Sequence, residues 1–386
     1  MKVKILDNQQ NREKNFFSLL RELRESGNDF LDIGGALNIC PSDQKIISKI
    51  LKNYTTSNSF LESIFKYPSS WGQIDFRKAI KSFYESKFRI SISEIRNVFP
   101  TKGSIDAWNT RLVLHKGSVV FPQYSPSWAV SLALMSGNKV IFAKSALNGV
   151  FDCKNVPPKS LIYVSNPICP TGHIPDMDWV EKKLIPSCKK NKSTIFVDSY
   201  AFWSGTFSFI QIPSFSDVGI EAISMSKEFM SPGLRIGAIV GSEILIERSR
   251  IYATYAIQMI PENLQIAASK LLQSEISIKK DFSEVENFFL ILRKKGWVGI
   301  LPKTHSYMLV GIPEKYQLHA IDLAYSLMKN HGVVMRPWFD QVQQKYFLEV
   351  ILIQPKGVLL SAAENLPSVS EVIFEYCPLV RDITRV

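Results

Sequence analysis

Residues 222–237 read Ala-Ile-Ser-Met-Ser-Lys-Glu-Phe-Met-Ser-Pro-Gly-Leu-Arg-Ile-Gly, and the fold prediction begins from this stretch. The short segment from Ala222 to Ser224 predicts a strand that presents Lys227 just beyond its end. Eight positions later, Arg235 lies in a glycine-flanked turn. A lysine amine can form a Schiff base with an aldehyde cofactor, and an arginine with nearby serines can hold a phosphate.

Short strands alternate with helices upstream of this stretch. The strands have no polar alternation, which is typical of parallel strands that are buried on both faces. The pattern therefore predicts an α/β domain with a doubly wound sheet. Its predicted strands are 95–98, 118–121, 139–142, 161–164, 194–197 and 222–224, and its predicted helices are 103–115, 126–136 and 176–189.

The pattern changes after Pro261, where residues 262–293 contain no proline or glycine and predict one long helix. Further strands are predicted at 306–311, 333–336 and 346–353, with a helix at 316–330. A helix at 10–27 and a strand at 30–33 are predicted near the start of the chain. We expect a large domain at 45–275 and a smaller α+β domain built from 1–44 and 276–386.

The composition of the 386-residue chain excludes several classes of protein. The net charge is +11, but the lysines and arginines are scattered and accompany no nucleic-acid-binding motif, so no nucleic-acid partner is expected. The five cysteines form no C-x-x-C pair, which argues against disulfides and a structural zinc site, and no metal site is predicted. No apolar run reaches the roughly 20 residues of a membrane span. We expect a cytoplasmic protein with no membrane contact.

Polar residues follow four further predicted strands. Asp198 ends the run at 194–197, where an acid could pair with the nitrogen of a pyridine ring. Residues 165–172 read Ser-Asn-Pro-Ile-Cys-Pro-Thr-Gly, and residues 101–106 read Thr-Lys-Gly-Ser-Ile-Asp, where a glycine turn opens a helix suited to phosphate. Tyr124 could stack on a flat cofactor. Each signal is weak alone, but together they predict one site at the ends of the strands.

These motifs resemble the class I and II aminotransferases, a group of fold-type I pyridoxal-phosphate (PLP) enzymes that includes the histidinol-phosphate aminotransferases. The resemblance runs from about residue 30 to 340 and implies the aspartate aminotransferase fold, with a large PLP-binding domain and a small domain that closes on substrate. It implies that Lys227 forms the aldimine with PLP, and that Lys227, Asp198 and Tyr124 are the catalytic residues. The cofactor-binding set that it implies is Gly103, Ser104, Ile105, Tyr124, Asn166, Cys169, Asp198, Tyr200, Ser224, Ser226, Lys227, Arg235 and Tyr67.

Two features of the resemblance concern assembly and substrate. Residues 65–68 with Gly72 and Arg77 are similar to a family stretch whose tyrosine reaches the phosphate in the neighbouring subunit. Tyr67 takes that place, so a homodimer is implied. Gly35 is similar to a glycine of the family's substrate-side loop.

Two departures from the family pattern affect the phenolic oxygen of the cofactor. The family has asparagine where this chain has Cys169, and tyrosine where it has Ala201. Asn166 and Tyr200 lie close by in sequence and could take over these contacts. Since such hydrogen bonds tune the cofactor's basicity, proton transfer could be altered.

A third departure concerns the family's arginine for the substrate carboxylate. One alignment puts Glu349 there and another puts Leu359. Either another cation, such as Arg336, binds the carboxylate, or the substrate presents a different group. Glu349 would suit a substrate with a cationic side chain.

We therefore expect a PLP-dependent enzyme that acts on an amino acid, with transamination as the commonest outcome in the family. A lyase, decarboxylase or cyclase acting on a basic, arginine-like amino acid is an alternative. A non-catalytic protein that kept the PLP fold is a further one, although it would need none of the retained site residues.

Overall fold

The order in which seven strands pair decides where the candidate residues meet. The computed structural model describes residues 20–21, 25, 27, 30–34, 41–55, 58–92, 95–202, 205–257, 259–274 and 283–375. The chain divides into a large unit, Ile39–Lys279, and a small unit that combines Met1–Asn38 with Lys280–Val386. The functions assigned above to the two domains stay predictions.

The large unit is an α/β structure built on one mixed sheet. Its strands are β2 (Val98–Thr101), β3 (Ser118–Pro122), β4 (Lys139–Ala143), β5 (Leu161–Ser165), β6 (Thr194–Ser199), β7 (Gly219–Ser224) and β8 (Gly237–Gly241). They pair in the order β2-β8-β7-β6-β5-β3-β4, and β8 alone runs against the others. The carboxyl ends of the six parallel strands therefore lie at one edge of the sheet, as the doubly wound prediction requires.

Helices cover both faces of this sheet. The side chains of neighbouring residues alternate between faces. Thus Ala222 packs in the cluster around Trp108, whereas Ile223 packs in the cluster around Phe76 and Tyr84. The helices of the unit are Pro41–Thr55, Asn58–Ile64, Ile74–Phe88, Ser104–Leu114, Ser127–Met135, Met177–Trp179, Ile185–Asn191, Met225–Glu228, Glu243–Tyr252 and Glu262–Gln273.

The chain also contains π-helical turns and 3-10 turns. The π-helical turns are Val180–Leu184, which joins two helical pieces, and Ala253–Ile257. The 3-10 turns are Ile95–Asn97, Cys153–Asn155, Phe209–Gln211, Phe215–Asp217, Pro232–Leu234, Glu314–His319 and Val369–Glu371.

The small unit has an α+β structure. Strands β9 (Val298–Ile300), β10 (Tyr307–Gly311), β12 (Arg336–Asp340) and β13 (Lys345–Ile351) form an antiparallel sheet in the order β12-β13-β10-β9. Strand β1 (Leu31–Asp32) pairs in parallel with β11 (Val333–Val334). The helices Glu284–Lys294, Ala320–His331 and Val358–Asn365 enclose a core around Phe288, Trp297 and Leu323.

Three predicted elements differ from the structure. The helix expected at 262–293 ends at Gln273, because Ser274 is extended and its hydroxyl bonds to the Leu271 carbonyl at 2.6 Å. The strand expected at 95–98 begins only at Val98, after a 3-10 turn. Residues 333–336 belong to two strands, β11 and β12. Among the residues described, none of the helices combines the length and apolarity needed to cross a bilayer.

Candidate active site

Lys227 lies directly after β7, on the single helical turn Met225–Glu228. The Ser224 side chain caps this turn by accepting a hydrogen bond from the Ser226 N–H at 3.2 Å. The Lys227 amine lies 4.6 Å from the centroid of the Tyr200 ring, a distance at which a cation and an aromatic face attract. Lys227 is only partly buried, so its amine can meet a ligand at the edge of the sheet.

Asp198 is buried at the end of the neighbouring strand, β6. Its Oδ2 accepts a hydrogen bond from the Tyr163 hydroxyl at 3.0 Å, and its Oδ1 is buried without a hydrogen-bond partner among the residues described. Burial raises the pKa of Asp198, while the hydroxyls of Tyr163 and Ser104 and the charge on Lys227 act in the opposite direction. An unpartnered buried oxygen favours a ligand that donates a hydrogen bond.

Tyr163 was not identified from the sequence. It lies within the fully buried strand β5, and its ring packs at 4.9 Å from Trp108 and stacks near Phe196. The sequence signal that could have identified Tyr163 is its phenol hydroxyl within an otherwise apolar run. A buried hydroxyl needs a hydrogen-bond partner, so such a residue points to a polar group nearby. The sequence could not say that the partner would be Asp198.

Gly103, Ser224 and Arg235 come together on three different elements. Gly103 has φ 83° and precedes the helix Ser104–Leu114. A Cβ placed on Gly103 would lie 3.7 Å from Ser224 Oγ and 3.9 Å from Arg235 Nη2. Arg235 Nη1 donates to the Pro232 carbonyl at 3.1 Å. A helix N-terminus, a hydroxyl and a guanidinium thus lie close together, and such a combination suits a phosphate.

The absence of a side chain at Gly237 allows β7 and the turn at Gly103 to come close to β8. A Cβ on Gly237 would lie 2.2 Å from the Ile223 carbonyl oxygen and 3.1 Å from the Gly103 Cα. Any side chain there would separate β7 from β8 and displace the glycine turn. The sequence alone gives no such distance, because the close approach is created by the pairing of β7 with β8.

Tyr124 follows β3 at the same edge of the sheet and is buried. Its chain neighbours are tied to the sheet, because the Gln123 N–H donates to the Ala143 carbonyl at 2.8 Å and the Ser125 hydroxyl to the Pro122 carbonyl at 2.8 Å. The stacking role assigned to the Tyr124 ring stays a prediction. The same holds for Ile105, whose side chain is exposed, so that only its backbone N–H could serve a phosphate.

Asn166 does not point a free amide donor into the site. Its side-chain Nδ2 donates to the Phe207 carbonyl at 2.6 Å and lies 3.3 Å from Ser199 Oγ, which uses both of its N–H groups. Cys169 is buried, with its N–H bonded to Ser165 Oγ at 2.9 Å, and Ala201 is fully buried. The two positions that differ from the family pattern therefore present a thiol and a methyl group.

A buried glutamate supports this side of the site. Glu221, on β7, accepts hydrogen bonds from the hydroxyls of Ser199 and Ser208 and from the Phe209 N–H at 3.3 Å. Burial raises the pKa of Glu221 to about 7, against the opposite effect of these donors. Since Ser199 also contacts Asn166, the carboxyl of Glu221 helps to fix the turn that follows β5.

The remaining predicted site residues are not shown at this edge of the sheet. Tyr67 is 95% exposed in the large unit. Arg336 and Glu349 are cross-strand partners on β12 and β13 of the small unit, with Arg336 Nε 3.7 Å from Glu349 Oε2. Gly35 lies outside the described residues. The structure thus brings Lys227, Asp198 and Tyr200 to the same sheet edge as the predicted phosphate-binding residues Gly103, Ser224 and Arg235. It does not relate them to Arg336 and Glu349.

Known proteins resemble this chain in sequence and in fold. The family model for aminotransferase class I and II matches residues 38–341. A similar curated protein is the LL-diaminopimelate aminotransferase of Dehalococcoides mccartyi, 25% identical over 299 residues that cover 70% of this chain and 74% of the relative. Two solved structures share the fold: BacF of Bacillus subtilis (TM-score 0.78, 20% identity, 90% of this chain and 92% of that one) and an aspartate aminotransferase of Thermotoga maritima (TM-score 0.75, 17% identity, 92% and 95%).

We expect Glu221→Gln to change how stability depends on pH. In the folded protein the pKa of Glu221 is about 7, against an ordinary pKa of 4.5. The stability that the bound proton confers is therefore full below pH 4.5 and is lost as the pH rises to about 7. Glutamine removes the titration and keeps an acceptor for the Phe209 N–H. The variant should therefore gain about 1–3 kcal/mol relative to the unsubstituted protein between pH 5 and pH 8.

Urea unfolding at several pH values measures this difference. The exposed Glu243 offers a matched control, since Glu243→Gln should leave the pH dependence as it is. Parallel curves for the unsubstituted protein and Glu221→Gln would contradict the assignment.

Proposed function

We propose that Lys227 holds the pyridoxal phosphate of this chain, which belongs to the aminotransferase class I and II family. Members of this family are PLP-dependent enzymes that move amino groups, and the chain is an aminotransferase of that kind. The observation that carries the residue assignment is the pairing of β6 with β7, which puts Asp198 and Lys227 at the same edge of the sheet, where burial raises the pKa of Asp198 and the charge on Lys227 lowers it.

The residues at this edge fit the cofactor. The unpartnered Oδ1 of Asp198 offers an acceptor to a protonated pyridine nitrogen, and the Lys227 amine can bind an aldehyde carbon. The place enclosed by Gly103, Ser224 and Arg235 supplies backbone N–H groups, a hydroxyl and a guanidinium for a phosphate. The three groups that PLP requires are therefore supplied by neighbouring parts of one sheet edge.

Each of these side chains contributes a separate part of the reaction. When bound, PLP withdraws electrons from the α-carbon of an amino acid. The Asp198 carboxylate, oriented by the Tyr163 hydroxyl, keeps a proton on the ring nitrogen, and its burial strengthens that interaction. The Lys227 amine, held over the Tyr200 ring, removes the proton from the α-carbon of the substrate and returns it to the product.

Cys169 and Ala201 reduce the hydrogen bonding available on the phenolic side of the cofactor. A thiol is a weak donor and a methyl group is none. Asn166 does not replace them, since its amide donors already have partners. These changes are the reason to weigh a lyase, decarboxylase or cyclase, but the relatives found are aminotransferases and no contact favours the other reactions. We retain transamination.

We further propose that the substrate is an amino acid with a cationic side chain. In place of the family's arginine, Glu349 is buried and pairs with Arg336, so this position carries no net positive charge. A carboxylate at a substrate-binding position attracts an ammonium or guanidinium group. Arg336 stays our candidate for the substrate carboxylate. The relative named above is specific, by its name, for a diamino acid.

The test is to incubate the PLP-loaded protein with a keto acid and, in turn, arginine, lysine, glutamate or alanine, and to identify the products by mass. We expect a new keto acid, most rapidly from a basic amino acid. Lys227→Arg should lower kcat by about 1000-fold or more, because the general base is displaced. Lys189→Arg, on the surface, is the matched control.

Each part of this proposal can fail separately. No keto acid from any amino acid, with PLP bound, would contradict transamination and favour a non-catalytic role or another PLP reaction. Glu349→Gln should lower kcat/KM for basic relative to neutral amino acids by about tenfold, which corresponds to about 1.4 kcal/mol. An unchanged preference would contradict the substrate class alone.

A homodimer is the assembly that we propose. Tyr67 and Phe65 are 95% and 86% exposed, and Leu61 and Ile64 on the preceding helix are also exposed. Large apolar side chains grouped in one stretch of about seven residues are typical of an interface. The resemblance assigns Tyr67 to the phosphate of the neighbouring subunit, so the active site would need the second chain.

We expect Phe65→Asp to dissociate the dimer and to lower activity at least tenfold, since a charge is costly in an apolar interface. Leu318→Asp is the matched control because Leu318 is 87% exposed on the small unit. Light scattering after gel filtration gives the mass. A monomeric unsubstituted protein with full activity would contradict the proposal.

The cytoplasm is the compartment that we propose. Among the residues described, Cys153, Cys169 and Cys188 are not in disulfide bonds, which suits a reducing environment.

A further inference from the structure

A basic hollow lies on the large unit, away from the candidate active site. One wall is the turn after β4, where Ser145 and Phe151 form an antiparallel bridge, and the other is the helical segment 177–191. The hollow has a volume of about 1030 Å³, at the upper end of the range for small-molecule sites. We call it the lysine hollow because five lysines line it: Lys144, Lys154, Lys182, Lys183 and Lys190.

The charges of these lysines are largely uncompensated. Among the residues described, Lys144, Lys154, Lys183 and Lys190 form no ion pair, and Lys182 pairs only with the exposed Asp178 at 2.8 Å. Asp152 is the acidic residue of the lining, and its carboxylate already caps the Lys154 N–H at 3.0 Å. Five lysines against one aspartate leave the lining four charges positive. All five lysines are exposed, so their charges are open to solvent, and such an arrangement attracts anions.

Trp179 adds a fixed aromatic ring to this lining. Its Nε1 donates to the Phe151 carbonyl at 3.2 Å, and its ring meets the Phe151 ring edge-on at 5.0 Å. The ring therefore has a set orientation, and it is only partly buried. A ring of this kind beside clustered ammonium groups can stack on a flat base while the lysines bind phosphates.

The lysine hollow is separate from the site that contains Lys227. Strands β4 and β7 are four strand-to-strand steps apart in the sheet order, which at about 4.8 Å a step is about 19 Å. None of the residues assigned above to PLP or substrate lines the hollow. Its ligand would therefore bind at the same time as PLP.

We propose that the lysine hollow is a second binding site, which takes a small anion with a chain of phosphates. The number of lysines matches an oligophosphate better than a single phosphate or a monocarboxylate, since each added anionic group meets a further ammonium. The chain of phosphates can be free or can belong to a nucleoside triphosphate, and Trp179 is the residue that would distinguish the two.

The test uses the full-length protein, saturated with PLP beforehand so that the active site is filled. Calorimetric titration at low salt is carried out with tripolyphosphate and, separately, with ATP. We expect saturable binding that weakens at least about tenfold in Lys183→Glu/Lys190→Glu and that also weakens with added salt. Lys183→Arg/Lys190→Arg, which keeps both charges, should retain binding.

The matched control is Lys116→Glu/Lys303→Glu, which changes the net charge equally at exposed lysines outside the hollow. Tighter binding of ATP than of tripolyphosphate, lost in Trp179→Leu, would assign the site to a nucleotide. Equal affinities would assign it to the phosphate chain alone. No saturable binding of either anion, or an equal loss in the control, would overturn the proposal, whatever the aminotransferase activity of the same preparations.

Discussion

The parallel direction of six strands is the constraint on which the candidate site depends. Because β2, β3, β5, β6 and β7 end at the same edge, residues separated by more than a hundred positions in sequence become neighbours. Lys227 and Asp198 are adjacent because β7 pairs with β6, and Gly103 approaches Ser224 because β8 inserts between β2 and β7. A change of strand order would disperse all of these groups without altering any one of them.

Buried polar groups then set the chemistry at that edge. The Asp198 carboxylate is held by Tyr163, and the Glu221 carboxylate is held by two serine hydroxyls and a backbone N–H. Burial raises the pKa of both acids, but their surroundings differ. Asp198 keeps an unpartnered oxygen and lies near a positive amine, which suits a ligand. Glu221 is enclosed by donors, which suits a structural role.

Much of the site could be predicted from sequence because its residues follow apolar strands directly. Lys227, Asp198 and Gly103 each end such a run or come just after one, and the ends of parallel strands converge. Tyr163 and Glu221 could not be found in this way, since their partners are chosen by pairing between strands. The register that sets Arg336 against Glu349 is likewise a property of the folded sheet. Ser274 carries too weak a stop signal to end a predicted helix.

The most direct measurement is to load the protein with PLP, reduce it with borohydride, digest it and locate the modified lysine by mass spectrometry. Our account predicts that the cofactor is attached to Lys227, and that Asp198→Asn lowers the amount retained without moving the attachment. Attachment to another lysine, or none under saturating PLP, would contradict the claim that this sheet edge is the cofactor site.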